Sequence, residues 1–380
     1  MISSKLPNVT TSIFSVMSQM ANQYDAINLA QGFPNFESDP VLIALVNKAM
    51  RDGKNQYAPM PGHLGLRENI AIKVSEMCGS TYHPEHEITI TAGATQAIFT
   101  AISAVIQRGD EVIIFTPAYD CYAPTIELYG GKVVPVQLQP PSYRPNWDEV
   151  RQKVNPKTRM IVVNSPHNPS GMLFTKNDME QLQDIAVTHN LLVLSDEVYE
   201  HIIFDGEIHQ SAAKFNGLKE RTFITASFGK TFHNTGWKIG YCLAPEMLTK
   251  EFRKVHQYTV FSINHPMQVA LSEYLETPEH YLQLPAFYEA KRDLFLSSMA
   301  DSNFTMDPSK GTYFQLLGFE QITDENDVAF AERLIKEHGI ATIPTSVFNA
   351  NQEDFKHVRV CFAKTDAVLQ NATAILCGIR

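Results

Sequence analysis

Short runs of consecutive apolar residues dominate the middle of the chain, separated by stretches whose apolar positions recur every three or four residues. Glu111-Val-Ile-Ile-Phe115, Met160-Ile-Val-Val-Asn164, Leu191-Leu-Val-Leu-Ser195 and Thr222-Phe-Ile-Thr-Ala226 read as strands, being too short for helices and bounded by turn residues. Ile88-Thr89-Ile90-Thr91 alternates as a strand does, and Ile98, Phe99, Ile102, Val105 and Ile106 then recur at helical spacing. Thr175 followed by Asp178 has the pattern of a capping box opening a helix with Leu182, Ile185 and Ala186 on one face. Continuous apolar runs alternating with helices predict parallel strands covered on both faces, an α/β sheet. From about residue 275 helical stretches (288–299, 328–338) alternate with short strands (312–316, 357–361). The pattern therefore predicts a large domain at 36–274 and a smaller α+β domain formed by 1–35 with 275–380.

Composition narrows the functional classes. The 380 residues are enough for two or three domains and a full core. With 31 Lys plus Arg against 41 Asp plus Glu, the net charge is −10, which argues against nucleic-acid or anionic-membrane binding. The longest uncharged stretch, Ile88 to Gln107, is broken by Thr, Ser, Gln and Gly and splits into two periodicities, so no membrane span is expected. Residues 1–5 lack the apolar core of a secretory signal. The five cysteines are widely spaced and without a CxxC, as expected of reduced thiols in a cytoplasmic protein. His83-Pro-Glu-His86 lacks a helical HExxH context and a third ligand, so no metal site is expected.

In α/β sheets ligands bind beyond the carboxyl ends of the strands, and the residues there carry the candidate chemistry. The strand ending at Thr91 is followed by Gly93-Ala94-Thr95-Gln96, the one ending at Phe115 by Thr116-Pro-Ala-Tyr119, and the one ending at Asn164 by Ser165-Pro-His-Asn168. The remaining two lead into Asp196-Glu-Val-Tyr199 and Ser227-Phe-Gly-Lys230. Gly229-Lys230-Thr231 fails as a phosphate-binding P-loop, because Ile224 stands where the first glycine is needed. Ser227-x-x-Lys230 fails as a serine acyl-enzyme, because neither Ser-Asp-Asn nor Lys-Thr-Gly occurs in the chain.

All five strand ends suit pyridoxal 5'-phosphate. A lysine amine such as Lys230 can form a Schiff base with a carbonyl cofactor. The cofactor's pyridine nitrogen needs a carboxylate, for which Asp196 is placed; its phenolate oxygen needs donors, for which Asn168 and Tyr199 suit; and Tyr119 offers a stacking face. Its phosphate needs helix N-terminal N–H groups, hydroxyls and a cation, which Ala94, Thr95, Ser227 and Lys238 can supply.

Ser227-Phe-Gly-Lys-Thr-Phe-His-Asn-Thr-Gly-Trp-Lys-Ile-Gly-Tyr241 resembles the signature around the cofactor lysine of class I/II aminotransferases of fold type I. Asn164-Ser-Pro-His-Asn-Pro-Ser-Gly171 and Asp196-Glu-Val-Tyr199 match the same family in order and spacing, and the similarity runs from about Ile27 to about Lys364. Asn28-Leu-Ala-Gln-Gly-Phe-Pro-Asn-Phe36 resembles the kynurenine/glutamine and methionine transaminase branch. The resemblance implies that Lys230 carries the cofactor and then shuttles the proton. It also implies that Gln96 belongs to the cofactor site, that Arg359 forks the substrate α-carboxylate with help from Asn168 and the Gly32 backbone, and that Tyr57 reaches the phosphate of the neighbouring subunit in a homodimer. Lys238 stands where many relatives carry Arg, which keeps the cation and loses the bidentate fork.

The expected reaction is transfer of an amino group from an apolar, sulfur-containing or aromatic amino acid (methionine, phenylalanine, glutamine or kynurenine) to a 2-oxo acid. The apolar and aromatic residues of the substrate-side segments, Phe14, Phe33, Phe36, Tyr57 and Tyr119, underlie that preference, since a second carboxylate buried among them would be costly. Two alternatives remain open at this level: β-elimination from cysteine conjugates on the same cofactor, and a non-catalytic regulatory domain.

Overall fold

The computed structural model describes residues 2–380. Its centre is a seven-stranded sheet built from β1 (Ile88–Thr91), β2 (Glu111–Thr116), β3 (Lys132–Gln137), β4 (Thr158–Asn164), β5 (Leu192–Asp196), β6 (Thr222–Ser227) and β7 (Gly240–Leu243). The spatial order is β1-β7-β6-β5-β4-β2-β3. All neighbours pair in parallel except those of β7, which is antiparallel to both β1 and β6. The expectation of parallel strands thus holds for six strands, and β7 is the exception.

Both faces of this sheet are buried, which is why its strands read as continuous apolar runs. Ile113, Phe115, Ile161, Val163 and Val193 pack into one core, whereas Val112, Ile114, Met160, Val162 and Leu194 pack into another. The second core is closed by Ala97, Ile98, Ala101 and Ile102 of the helix Gly93–Val105, which starts immediately beyond the end of β1. Two elements escaped the sequence pattern. β3 lies at the sheet edge, is only half-buried and contains Pro135, a residue that edge strands tolerate. β7 has four residues, begins at Gly240 and is too short to show a periodicity of its own.

The capping box forms as expected: Thr175 accepts from the Asp178 amide and Asp178 accepts from the Thr175 amide, opening the helix Lys176–Thr188. Beyond residue 275 come the helices Leu284–Ser298 and Asp327–His338, and a three-stranded antiparallel sheet in the order β9-β10-β8. Its strands are β8 (Phe314–Gly318), β9 (Ile343–Pro344) and β10 (His357–Cys361). The strand expected at 312–316 is displaced to 314–318, because Thr312 adopts a left-handed backbone with φ +65°. Ile27–Asn28 pairs in parallel with Ile340–Ala341, so the first thirty residues contact the C-terminal part of the chain. Among the described residues no helix is long and apolar enough to cross a membrane, and no three His, Cys, Asp or Glu side chains cluster as metal ligands would.

Candidate active site

The carboxyl ends of β1, β5 and β6 open onto a cavity of about 290 Å³, roofed by residues of the smaller sheet and of the segment around Gln31.

The first corner is the start of the helix Gly93–Val105. Gly93 has φ +74°, a backbone that lets the chain turn from strand into helix with its first amides facing the cavity. Gly240 lies against this turn: a Cβ there would come within 2.5 Å of the Ala226 carbonyl oxygen and 3.0 Å of the Ala94 nitrogen, so only glycine fits. The Lys238 ammonium approaches Gly93 and, with Ala94, Thr95, Ser227 and Thr235, lines the same corner. Aligned amides, hydroxyls and a cation make a site for a phosphate dianion.

Asp196 ends β5 and is 3% exposed. The Tyr122 hydroxyl donates to its Oδ2 at 2.5 Å. Burial pushes the carboxyl up to about 6, against the hydrogen bonds from Tyr122 and the Val198 amide and the charge of Lys230. Among the described residues Asp196 has no ion-pair partner. A buried carboxylate with hydroxyl support and no cation is suited to receive one from a ligand.

Asn164 fastens the next loop: its side chain donates to the Asp196 carbonyl at 2.9 Å and accepts from the Asn168 amide at 2.8 Å. That places the Asn168 side chain beside Tyr199 in the cavity. The Tyr199 ring packs edge-on against Tyr313 at 5.3 Å, and burial raises its phenol well above the usual range. Tyr119 also lines the cavity, its hydroxyl 3.4 Å from Thr95 Oγ1.

Lys230 lies in the single helical turn Phe228–Thr231 directly after β6. Its amine donates to the Gly32 carbonyl at 3.0 Å and to the Tyr313 hydroxyl at 2.9 Å. Burial, reinforced by the Arg359 and Lys238 cations, pulls it down to about 8 despite the opposing charge of Asp196. A substantial neutral fraction at physiological pH makes it a nucleophile and base.

Arg359, in β10, is 0% exposed. Its Nη1 donates to Asn168 Oδ1 at 2.6 Å and its Nη2 to the Ala30 carbonyl at 3.1 Å, while Nε is buried without a partner. Its guanidinium lies 3.8 Å from the centre of the Phe314 ring and 5.2 Å from that of Phe14. Burial lowers it to about 10, which still leaves it charged at neutral pH. An arginine between aromatic rings with an unused donor suits a carboxylate.

The cavity therefore gathers Gly32, Ala94, Thr95, Tyr119, Asn168, Asp196, Tyr199, Ser227, Lys230, Lys238 and Arg359. Two expected residues lie elsewhere. The Gln96 side chain is engaged with the Ala92 amide and Thr100. Tyr57 is 80% exposed and packs on Phe261, outside its own chain's cavity. Of the five aromatics assigned to the substrate side, Phe14 and Tyr119 line the cavity. Phe33 is exposed beside Lys364, and Phe36 packs on His233 and Phe287, so neither forms part of its wall. Tyr122, Asn164, Tyr313 and Phe314 also shape the site, without a role in the sequence pattern. Tyr122 had a usable signal, an aromatic three residues beyond Tyr119, whereas Tyr313 and Phe314 arrive from a separate sheet.

Residues 24–376 match the family described as aminotransferase class I and II. The chain is 46% identical over 367 residues to methionine aminotransferase of Escherichia coli strain K12, covering 96% of this chain and 95% of that one. It is 34% identical over 403 residues to kynurenine–oxoglutarate transaminase of Dictyostelium discoideum, covering 95% and 92%. A solved Escherichia coli structure with a methionine aminotransferase function superposes with a TM-score of 0.98 at 44% identity, over the whole of both chains.

Proposed function

Because the chain belongs to the class I and II aminotransferase family, whose members depend on pyridoxal 5'-phosphate, we propose that it moves the amino group of an apolar, sulfur-containing or aromatic amino acid to a 2-oxo acid at this cavity. The cavity fits the cofactor on three counts: the amide, hydroxyl and cation corner, the buried Asp196 without a cation, and the Lys230 amine with its lowered pKa. When bound, the cofactor supplies an electron sink for the Cα–H bond of the substrate.

The residues divide the work. Ala94, Thr95, Ser227 and Lys238 would hold the phosphate, Tyr119 would stack on the ring, and Asn168 with Tyr199 would donate to the phenolate oxygen. Asp196 would keep the ring nitrogen protonated. Lys230 would anchor the cofactor and, once released, take the proton from the substrate Cα at its Nζ. Arg359 would fork the α-carboxylate and so fix which Cα bond faces the base.

The observation that carries the substrate class is the set of cations around the cavity: among the described residues they are Lys230, Lys238 and Arg359. Each already has a role, so nothing is left to pair with a second carboxylate, and the wall near Arg359 is Phe14 and Phe314. Burying an apolar or thioether side chain there gains about 25 cal/mol per Å². The methionine and kynurenine activities of the two relatives agree with that preference. We further propose a homodimer in which the exposed Tyr57 reaches the partner's phosphate corner, and a cytoplasmic location, consistent with five free cysteines. The division into 36–274 and 1–35 with 275–380 belongs to the same proposal. A panel of amino donors and 2-oxo acids, scoring keto acid separately from pyruvate with ammonia, tests the reaction. Methionine and phenylalanine should exceed aspartate in kcat/KM and require an acceptor; aspartate as the better donor, or turnover without an acceptor, would reject the reading.

A further inference from the structure

We propose that Tyr313 is a positioning residue for Lys230, a role that rests on the aminotransferase reading above: its hydroxyl, tied to the Gly32 carbonyl, holds the lysine amine at a fixed point whenever the amine is not covalently engaged. Three observations support this role.

The first is the direction of the hydrogen bonds. The Tyr313 O–H donates to the Gly32 carbonyl at 2.6 Å, and the Lys230 amine donates to the Tyr313 oxygen at 2.9 Å and to the same carbonyl at 3.0 Å. A phenol has one proton, so donation to Gly32 leaves the oxygen to accept from the amine, with the Tyr199 hydroxyl as its other polar neighbour. Burial pushes the Tyr313 phenol well above its ordinary range, so it keeps that proton at working pH.

The second is that the hydroxyl cannot wander. Tyr313 is fully buried and its ring is packed edge-on by Tyr199 at 5.3 Å and by Phe314 at 5.0 Å, with Tyr288 at 5.7 Å.

The third is the count of amine hydrogens. A neutral amine has two N–H groups, and the two acceptors use both. What remains is the nitrogen lone pair, and the unoccupied side of the amine is the cavity that Arg359 and Asn168 also line. A base for a Cα proton must present its lone pair in that direction. Without the Tyr313 oxygen, one N–H is freed and the lone pair loses its orientation.

The other titratable or charged groups facing the amine are Cys361, Arg359, Lys238, Asp196 and the Tyr199 ring 5.8 Å away, and none exchanges a hydrogen bond with it. The Tyr313 hydroxyl is therefore the one side-chain hydrogen-bond partner of Lys230 among the described residues.

The test compares Tyr313→Phe with Tyr288→Phe, a neighbouring buried tyrosine whose hydroxyl bonds His233. In Tyr313→Phe, kcat should fall about tenfold to a hundredfold, as for a lost bond involving a charged group, with KM within about threefold of the parent. The pH profile for chemical labelling of Lys230 in the cofactor-free protein, read by peptide mass, should move down by about one unit, because the ammonium loses an acceptor. Tyr288→Phe should shift neither quantity. 3-Fluorotyrosine at position 313 keeps the shape but weakens the acceptor. It should move the labelling profile the same way by less, which covers a Tyr313→Phe chain that fails to fold. An unchanged labelling profile in the fluorotyrosine or Phe protein overturns the inference even if kcat falls, since that loss would then be a packing effect. Borohydride fixation of the cofactor separates the two levels: a label on a lysine other than Lys230 refutes the functional reading itself, whereas a normal label with unshifted Tyr313 variants refutes the positioning role alone.

Discussion

Replacing Asp196 by Asn should make the cofactor-free protein more stable and the loaded enzyme nearly inactive. The carboxyl ordinarily titrates near 3.8 and is raised to about 6 by burial. A folded-state pKa above the unfolded one means that the folded state prefers the protonated acid. The stability from this group is present in full below pH 3.8 and is lost as pH rises through about 6. A shift of about two units is worth about 3 kcal/mol, which the folded wild-type chain forgoes at pH 7.5 when no cation faces the carboxylate. Asn is neutral at every pH, has nearly the same shape, and can still accept from the Tyr122 hydroxyl. For a chain of this size, 3 kcal/mol corresponds to about 4 °C in Tm. Thermal melts of cofactor-free wild type and Asp196→Asn between pH 4 and 8 should converge at the acid end and separate, variant higher, as pH rises through about 6. In the loaded enzyme the order should reverse, with kcat reduced by about 10²–10⁴ through loss of the partner to a buried cation. Parallel melting curves for the two cofactor-free proteins would refute the reasoning, because they would mean that Asp196 is not strained by its burial.

Arg359→Lys keeps a charge but gives up the planar fork and its stacking on Phe314; kcat/KM for amino acids should fall about 10–100-fold while cofactor absorbance is unchanged, and equal kcat/KM would sink the assignment. Mixing a Lys230→Ala chain with a Tyr57→Phe chain should restore activity above either parent, since one site of the heterodimer then carries both defects and the other is intact. An active enzyme that sediments as a monomer would contradict the shared site.

Much of the site was legible because the chemistry of an α/β sheet sits where its strands stop. The apolar runs located β2, β4, β5 and β6, and the residues that follow them, Tyr119, Asn168, Asp196, Tyr199 and Lys230, meet in one cavity. What could not be read is direction and distance. An apolar run carries no sign of its polarity, so the reversal of β7 is hidden in a four-residue strand too short to show a pattern. Burial depth was equally invisible: nothing in the sequence distinguishes Phe14, which lines the cavity, from Phe36, which turns toward His233. Tyr313 stands 83 residues from the lysine it touches and reaches it only because the smaller sheet folds over the larger.

The reversal of β7 has a consequence for how much length variation this chain can absorb. Register pairs Ser227 with Gly240, so the connection between them leaves and returns at the same end of the sheet, clamped at both feet. Within it stand the Lys230 amine and the Lys238 ammonium, both facing the cavity. Neither foot can slide, because Gly240 lies against the Ala226 carbonyl and the Ala94 nitrogen with no room for a side chain. The connection thus acts as a gauge that sets the spacing between a covalent anchor and a cation. One inserted residue would alter that spacing, whereas the same insertion beside the exposed Ile208 would be taken up by solvent-facing chain.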